Sequence, residues 1–257
     1  MKGKPLVYGV SVRGRSHELL GVENQDSFLL KNFGSYSLVV VSDGLGSKRK
    51  SAIGSACACR AVLKAVRMFV YRGKKYRRKK GGFSSLVSLI SRFWLELIEP
   101  NHPADCQATC LFALVSAKRG KRKTCICAAL GDGMVFVSAE SGWLLLTDEK
   151  DDDFVNSTFS LSAKNNLGEW QVKSLSFSRK NKLKGVFVSS DGISSDLKEG
   201  REVQFAGSLL SELASVKSLK QKAAFLKRIA DNWTGQSGDD KTMAVLEVRH
   251  GGEYQQS

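Results

Sequence analysis

Runs of apolar residues that end in turn residues divide the chain into predicted strands and helices. Three strand-like runs come first: LVYGVSVRG, DSFLLKN and YSLVVVSDG. Apolar residues then recur every three to four positions through SAIGSACACRAVLKAVRMFVYR and FSSLVSLISRFWLELIEP, which predicts two helices, and Pro100 ends the second. The first half of the chain is therefore predicted to be a set of strands followed by a helical pair.

The second half of the chain has mainly the strand pattern. ATCLFALVSA and CICAALGDGMVFVSA predict a hairpin around KRGKRK, and WLLLT, WQVKSLSF and GVFVSSDG continue the pattern. A helical zone, GSLLSELASVKSLKQKAAFLKRIADNW, precedes a last strand, TMAVLEVRH. Because strands and helices do not alternate one by one, a parallel doubly wound sheet is disfavoured. The order predicts an α+β fold with two antiparallel sheets and outer helices, in one domain over residues 1–257.

Composition places the chain among globular proteins. It has 257 residues, of which 42% are hydrophobic and 25% are charged. The longest apolar stretches are far shorter than the roughly 20 residues that cross a bilayer, and the N-terminal apolar run is too short for a signal peptide. We therefore expect a cytoplasmic protein without a membrane segment, whose six cysteines are free thiols.

The net charge of +15 comes largely from three basic runs, at residues 72–80, 118–123 and 179–184. Two interpretations are open. The runs are either solvated loops or a docking surface for nucleic acid, acidic protein segments or phosphorylated partners. A stacking surface for single-stranded nucleic acid is disfavoured, because Tyr76 is the one aromatic residue within the three runs.

Aspartates recur where strand-like runs begin or end: Asp26, Asp43, Asp132, Asp191 and Asp240. Aspartate is a poor strand residue, so these positions cost little and free each carboxylate to point into a shared space. Gly44, next to Asp43, has no Cβ, so its backbone carbonyl can approach a cation. Taken singly, each Asp-Gly is ordinary turn chemistry, and only the ordered series indicates a common site.

Converging carboxylates would repel one another and would need a compensating cation. A ligand set made of oxygen, without Cys or His, favours the hard ions Mg²⁺ and Mn²⁺ over zinc. Two such ions that share a carboxylate would activate a water for in-line attack on a phosphoryl group. The residues thus predict metal-dependent phosphoryl chemistry.

The ordered series ENQD, SDGLG, GDG, SDG and GDD spans residues 23–240. It resembles the metal-dependent protein serine/threonine phosphatases of type 2C, also called the PPM family. The resemblance implies a four-layer α-β-β-α sandwich with the metal centre at one edge of the sheets. It also implies hydrolysis of phosphoserine and phosphothreonine by a metal-activated water at a binuclear Mn²⁺ or Mg²⁺ centre. Leu45, after the first Asp-Gly pair, is similar to the hydrophobic residue of bacterial members.

The resemblance implies a role for each carboxylate. Asp43 would bridge the two metals, and the Gly44 carbonyl would bind the second. Asp191 and Asp240 would complete the first metal site. Asp26 would hold metal-bound water and would act with Asp43 in catalysis.

The series also departs from the pattern of the family. Asp132 lies in GDG where the family has GDS, and with Asp191 it would form a third, weaker metal site. Gln25 stands where the family has Glu, and Gly21 stands where an Arg grips the substrate phosphate. The predicted substitutes for that arginine are Arg13, Arg15 and His17.

The implied partners are a phosphoprotein substrate and a cognate Ser/Thr kinase, and the architecture implies a monomer. The alternative is a catalytically weak, phosphatase-like adaptor that binds phosphorylated or acidic partners, or nucleic acid, through its basic loops. Retention of Asp43, Asp191 and Asp240 favours the enzyme, because an adaptor has no need of all three.

Overall fold

The computed structural model describes residues 4–71, 82–116, 123–147, 159–164, 167–233 and 237–248. The strands are β1 Leu6–Val12, β2 Ser27–Phe33, β3 Tyr36–Ser42, β4 Cys110–Ser116, β5 Lys123–Leu130, β6 Met134–Ala139, β7 Gly142–Thr147, β8 Gln171–Phe177, β9 Leu183–Ser189 and β10 Lys241–Glu247. The α-helices are α1 Arg15–Leu20, α2 Ser51–Tyr71, α3 Gly82–Ile98, α4 Asp191–Ser194, α5 Glu202–Ser215 and α6 Leu219–Asn232. Short 3₁₀ turns lie at Pro103–Asp105 and Leu167–Glu169.

The strands form two antiparallel sheets of five strands each. The first sheet has the order β1-β10-β9-β6-β7, and the second has the order β2-β3-β4-β5-β8. Strands β4 and β5 pair from Cys110 opposite Leu130 to Ser116 opposite Thr124, which confirms the predicted hairpin. Each sheet therefore joins strands from distant parts of the chain, and one inner strand of each sheet, β9 or β3, leads to a predicted site residue.

Three apolar clusters hold four layers together. One cluster lies between the second sheet and the helices α2 and α3. Another lies between the two sheets. The third lies between the first sheet and the helices α5 and α6. This arrangement confirms the predicted α-β-β-α sandwich.

Strand β3 shows how the sequence produces these layers. All its residues are buried. Because successive side chains of a strand point to opposite faces, Leu38 and Val40 pack toward the helical layer, while Val39 and Val41 pack between the sheets. A strand buried on both faces has a continuous apolar run. In β3 this run ends shortly before Asp43, the first residue after the strand.

The helices differ from the prediction in two places. The third helical zone is two helices, α5 and α6, because the chain leaves α5 at Val216 and Ser218 caps α6 by accepting a hydrogen bond from the Gln221 N–H (3.3 Å). The short helix α1 was not expected, since none of its residues is buried. Among the described helices, none is long and apolar enough to cross a membrane.

The cysteines and the basic runs have different outcomes. All six cysteines are buried and free, as predicted. Burial raises the pKa of the Cys59 and Cys110 thiols, which makes them unreactive. Residues 72–80 lie outside the described residues, as do residues 118–122. The third run lies at the turn between β8 and β9, where Lys182 Nζ is 3.1 Å from Glu140 Oε1.

Candidate metal centre

Strand ends from both sheets meet at one edge of the sandwich. Asp26 directly precedes β2 and Asp43 directly follows β3, and these strands are antiparallel neighbours. Asp191 follows β9 after one residue and Asp240 directly precedes β10, and these strands are also antiparallel neighbours. Antiparallel pairing brings the end of one strand beside the start of the other. The register therefore places the four carboxylates at a common edge.

Hydroxyl groups hold Asp26 and Asp43 in place through hydrogen bonds. The two carboxyl groups lie close enough to change each other's pKa. The Ser190 hydroxyl donates to Asp26 Oδ2 (2.7 Å) and accepts from the Thr242 N–H (3.0 Å). On the other side, Thr109 Oγ1 accepts from the Asp43 N–H (2.9 Å). These hydroxyl groups hold the two aspartates in place, and no sequence pattern indicates them because Ser and Thr are common at strand ends.

Burial makes ionisation of the first two carboxyls unfavourable. The pKa of Asp26 is raised from 3.8 to about 6, chiefly by burial, although the nearby Asp43 carboxyl and the Ser190 hydroxyl act in the opposite direction. Burial also raises the pKa of Asp43 well above 3.8, and the negative charges of Asp26 and Asp191 raise it further. These are the effects expected of carboxylates grouped without a cation.

Asp191 belongs to the same electrostatic group. Its pKa is raised from 3.8 to about 7, first by burial and then by the charges of Asp239, Asp26 and Asp132. Asp132 lies in the turn between β5 and β6, next to Gly133, whose φ of 113° favours glycine. The structure thus brings Asp132 into the neighbourhood of Asp191, which is where the sequence predicts a third ion.

Buried oxygens without hydrogen-bond partners test whether the site fits a metal. Among the described residues, Asp26 Oδ1, Asp191 Oδ1 and Gln25 Oε1 are such atoms. Each is an acceptor, and a buried acceptor without a partner costs about 1–3 kcal/mol. A hard divalent cation would satisfy them, since Mg²⁺ and Mn²⁺ prefer oxygen ligands. The donor set therefore fits the predicted ions.

Asp240 is held differently from the other aspartates. Its side chain is 1% exposed, and both carboxylate oxygens have protein partners. Oδ1 accepts from the Gly14 N–H (2.7 Å), and Oδ2 accepts from the Gln25 N–H (2.6 Å). His17 Nδ1 lies 2.9 Å from Oδ2. Asp240 thus ties the segment before β2 to the start of β10.

The neighbouring Asp239 was not among the predicted ligands, and the structure brings it to the site. Of all charges, that of Asp239 contributes most to the raised pKa of Asp191. Its Oδ1 accepts from the Asp240 N–H (2.8 Å), and the Lys241 ammonium donates to its backbone carbonyl (2.8 Å). One side-chain oxygen of Asp239, one of Asp240 and a ring nitrogen of His17 all lie within 4.8 Å of one another. Because Asp239 and Asp240 are adjacent, the sequence alone does not show which of the two carboxylates faces the site.

Gly44 is in close contact with the backbone of two other segments. A Cβ on Gly44 would lie 2.7 Å from the Ser51 carbonyl carbon and 2.8 Å from the Gln25 carbonyl oxygen. The Gly44 N–H donates to that Gln25 oxygen (3.2 Å). Glycine is therefore required sterically here, whatever its carbonyl binds.

The predicted phosphate-binding residues lie on one segment at the rim of the site. Arg13 and Arg15 are exposed on either side of Gly14, whose N–H is bound by Asp240. His17 is half-buried against Asp240 and so is less free than the two arginines. Gly21 ends α1 with a φ of 68°, in the left-handed region that favours glycine over arginine.

The raised pKa values predict how the stability of the metal-free protein depends on pH. A carboxyl whose folded-state pKa exceeds its unfolded value contributes stability below the unfolded value, near 3.8, and loses it as the pH rises through about 6 for Asp26 and about 7 for Asp191. We expect the Tm of chelator-treated protein to fall by roughly 5 °C or more between pH 5 and pH 8. The fall should be smaller with Mn²⁺ and in Asp191→Asn. A metal-free Tm that rises over this range would contradict the prediction.

A comparison with protein families identifies a match over most of the chain. The family model described as Protein phosphatase 2C matches residues 13–227. The matched range includes Asp26, Asp43, Asp132 and Asp191, and it ends before Asp239 and Asp240. A comparison with curated protein sequences finds no match.

Solved structures share the fold. A chain from a structure of the bacterial stressosome has a TM-score of 0.60 and 18% identity, covering 95% of this chain and 100% of that chain. A bacterial serine phosphatase has a TM-score of 0.63 and 13% identity, covering 96% and 99%. The PPM Ser-Thr phosphatase MsPP from Mycobacterium smegmatis, in complex with cacodylate, has a TM-score of 0.56 and 16% identity, covering 95% and 98%. At these identities the likeness shows a shared fold.

Proposed function

Because this chain belongs to the protein phosphatase 2C family, we propose that it is a metal-dependent phosphatase that removes phosphate from phosphoserine and phosphothreonine in proteins. The observation that carries the proposal is the carboxylate cluster, in which burial and the charge of Asp26 raise the pKa of both Asp43 and Asp191, and the buried Oδ1 atoms of Asp26 and Asp191 have no hydrogen-bond partner among the described residues. Such a cluster is unfavourable without a cation. The proposed cofactors are two Mn²⁺ or Mg²⁺ ions, with a third near Asp132.

The proposed ligands are those carboxylates that are not saturated by protein donors. Asp43 and Asp191 would hold the ions, with the Gly44 carbonyl beside Asp43. For the remaining position we assign Asp239 rather than Asp240, because both oxygens of Asp240 already accept backbone N–H groups. When bound, the ions would lower the pKa of water and neutralise charge on the phosphoryl group.

The chain's own residues would position the reactants. Asp26 Oδ2 accepts a hydrogen bond from the Ser190 hydroxyl (2.7 Å), whereas Oδ1 has no partner among the described residues. Oδ1 would therefore be the proton acceptor for the attacking water. Arg13 and Arg15, exposed at the rim, would bind the substrate phosphate. The partners proposed are a phosphoprotein and the Ser/Thr kinase that modifies it, with the phosphatase acting as a cytoplasmic monomer.

The test is phosphate release from a phosphothreonine peptide with Mn²⁺. We expect turnover by the wild type, and its loss both on addition of a chelator and in Asp191→Asn. The substitution keeps the shape of the side chain and removes its charge, so circular dichroism should show an intact fold. A wild type that binds Mn²⁺ and the peptide but releases no phosphate would contradict the proposal. That result would favour the phosphatase-like adaptor, for which Gln25 in place of Glu is the specific sign.

A further inference from the structure

Helix α1 presents two adjacent leucines to solvent. Leu19 is 78% exposed and Leu20 is 76% exposed, and no residue of α1 is buried. Exposed apolar residues scattered singly are ordinary on protein surfaces. Two neighbouring leucines on a helix that contributes nothing to the core are different, because folding does not explain them.

The helix is attached to the metal centre at its beginning. The Ser16 N–H donates to the Gly238 carbonyl (2.9 Å), and His17 Nδ1 lies 2.9 Å from Asp240 Oδ2. Since an α-helix rises 1.5 Å per residue, Leu20 lies about 4.5 Å along the axis from His17. The leucines are therefore about one helical turn from a residue that contacts the carboxylate cluster.

Positive charge lies on the same segment. Arg13 and Arg15 are exposed immediately before the leucines, and within the described residues of the segment from Arg13 to Gly21 the single acidic side chain is Glu18. A surface that combines guanidinium groups with leucines complements a ligand that carries both an anion and an apolar group. An extended peptide advances about 3.3 Å per residue, so a phosphorylated residue near the arginines would place its first or second neighbour over the leucines.

We propose that Leu19 and Leu20 form a docking surface for an apolar residue one or two positions from the phosphorylated Ser or Thr of the substrate. This leucine surface deepens the proposed function, on which it rests. It restricts the substrates to phosphoproteins with an apolar residue beside the phosphorylation site. The apolar contact selects the substrate, and the metal centre carries out the chemistry on it.

The experiment compares two phosphothreonine peptides that differ only in flanking residues, Leu in one and Ser in the other. With Mn²⁺, the wild-type kcat/KM for the Leu peptide should be about tenfold higher, which corresponds to about 1.4 kcal/mol and fits partial burial of one leucine. In the double variant Leu19→Ser, Leu20→Ser, the ratio of the two kcat/KM values should fall to near one. Turnover of 4-nitrophenyl phosphate normalises each variant for the state of the metal centre.

Trp143→Ser is the matched control. Trp143 is 61% exposed and pairs with Ser138, near the last residue of β6. The first residue of β6, Met134, pairs instead with Ser189 at the end of β9 that leads to Asp191. This change removes a large exposed apolar group far from α1 and should leave the peptide ratio as in the wild type. Both leucines and Trp143 are at the surface, so none of these substitutions should unfold the protein.

The failure of the inference is distinct from the failure of the proposed function. Equal kcat/KM values for the two peptides in the wild type would overturn the inference and leave the phosphatase intact. A double variant that still prefers the Leu peptide but sediments differently from the wild type would also overturn the inference, because the leucines would then be a self-association surface. If no substrate releases phosphate, the fluorescence anisotropy of labelled peptides decides: tighter binding of the Leu peptide, lost in the double variant, supports the leucine surface, and equal binding overturns it.

Discussion

Replacing Asp239 by asparagine should lower Mn²⁺-dependent phosphate release by at least about a hundredfold while leaving the fold intact. The charge of Asp239 has the largest electrostatic effect on Asp191, so the two carboxylates share one region of the site. Loss of one anionic ligand removes several kcal/mol of interaction with a divalent ion, and each 1.36 kcal/mol is tenfold in rate. Asparagine keeps an oxygen for the hydrogen bond from the Asp240 N–H (2.8 Å).

The measurement is steady-state phosphate release over a range of Mn²⁺ concentrations, together with the Tm of the metal-free protein. We expect a higher Mn²⁺ requirement, a lower kcat, and a metal-free Tm equal to or above that of the wild type, because a repelling charge has been removed. Wild-type kcat at the wild-type Mn²⁺ requirement would show that Asp239 holds no ion.

Replacing Asp240 by alanine should have the opposite pattern, with a large loss of stability. The side chain is 1% exposed and accepts the N–H groups of Gly14 and Gln25 at 2.7 and 2.6 Å. Alanine would leave both groups buried without acceptors, at about 1–3 kcal/mol each. We expect the free energy of unfolding to fall by about 2–5 kcal/mol, and the Tm by roughly 5–15 °C.

Chemical denaturation of the metal-free protein measures this change without the contribution of bound ions. Asp240→Asn is the matched control, because one of its acceptor oxygens remains, and its loss should be about half that of alanine. Unchanged stability in Asp240→Ala, combined with lost Mn²⁺ binding, would contradict the structural role. It would restore Asp240 as the metal ligand that the sequence series predicts.

The fold could be predicted from the sequence because its core strands are patterned by burial. The run from Val39 to Val41 is apolar on both faces since β3 packs between a helical layer and another sheet. Helix α1 could not be predicted, since it has no buried residue and Gly14 offers no side-chain cap. Contacts with Gly238 and Asp240, more than 200 positions away in the chain, hold it in place instead.

The site could be predicted in outline for a similar reason. Asp43 and Asp191 follow continuous apolar strands, so their exit from the core is visible in the sequence. The choice between Asp239 and Asp240 is not visible, because adjacent side chains differ in direction and the positions of Gly14 and Gln25, far away in the chain, decide which one is enclosed. The hydroxyl groups of Ser190 and Thr109 were missed, since their roles depend on long-range hydrogen bonds.

Metal-dependent phosphatase activity is tested most directly by titrating metal-free wild-type protein with Mn²⁺ at pH 8 and measuring bound Mn²⁺ and phosphate release from a phosphothreonine peptide in the same samples. We expect no release without metal and maximal release when two ions are bound per chain. We also expect Asp191→Asn to bind fewer ions and to release phosphate at a rate at least about a hundredfold lower. Filling of the sites without release of phosphate, or equal release with a chelator present, would contradict a metal-dependent phosphatase.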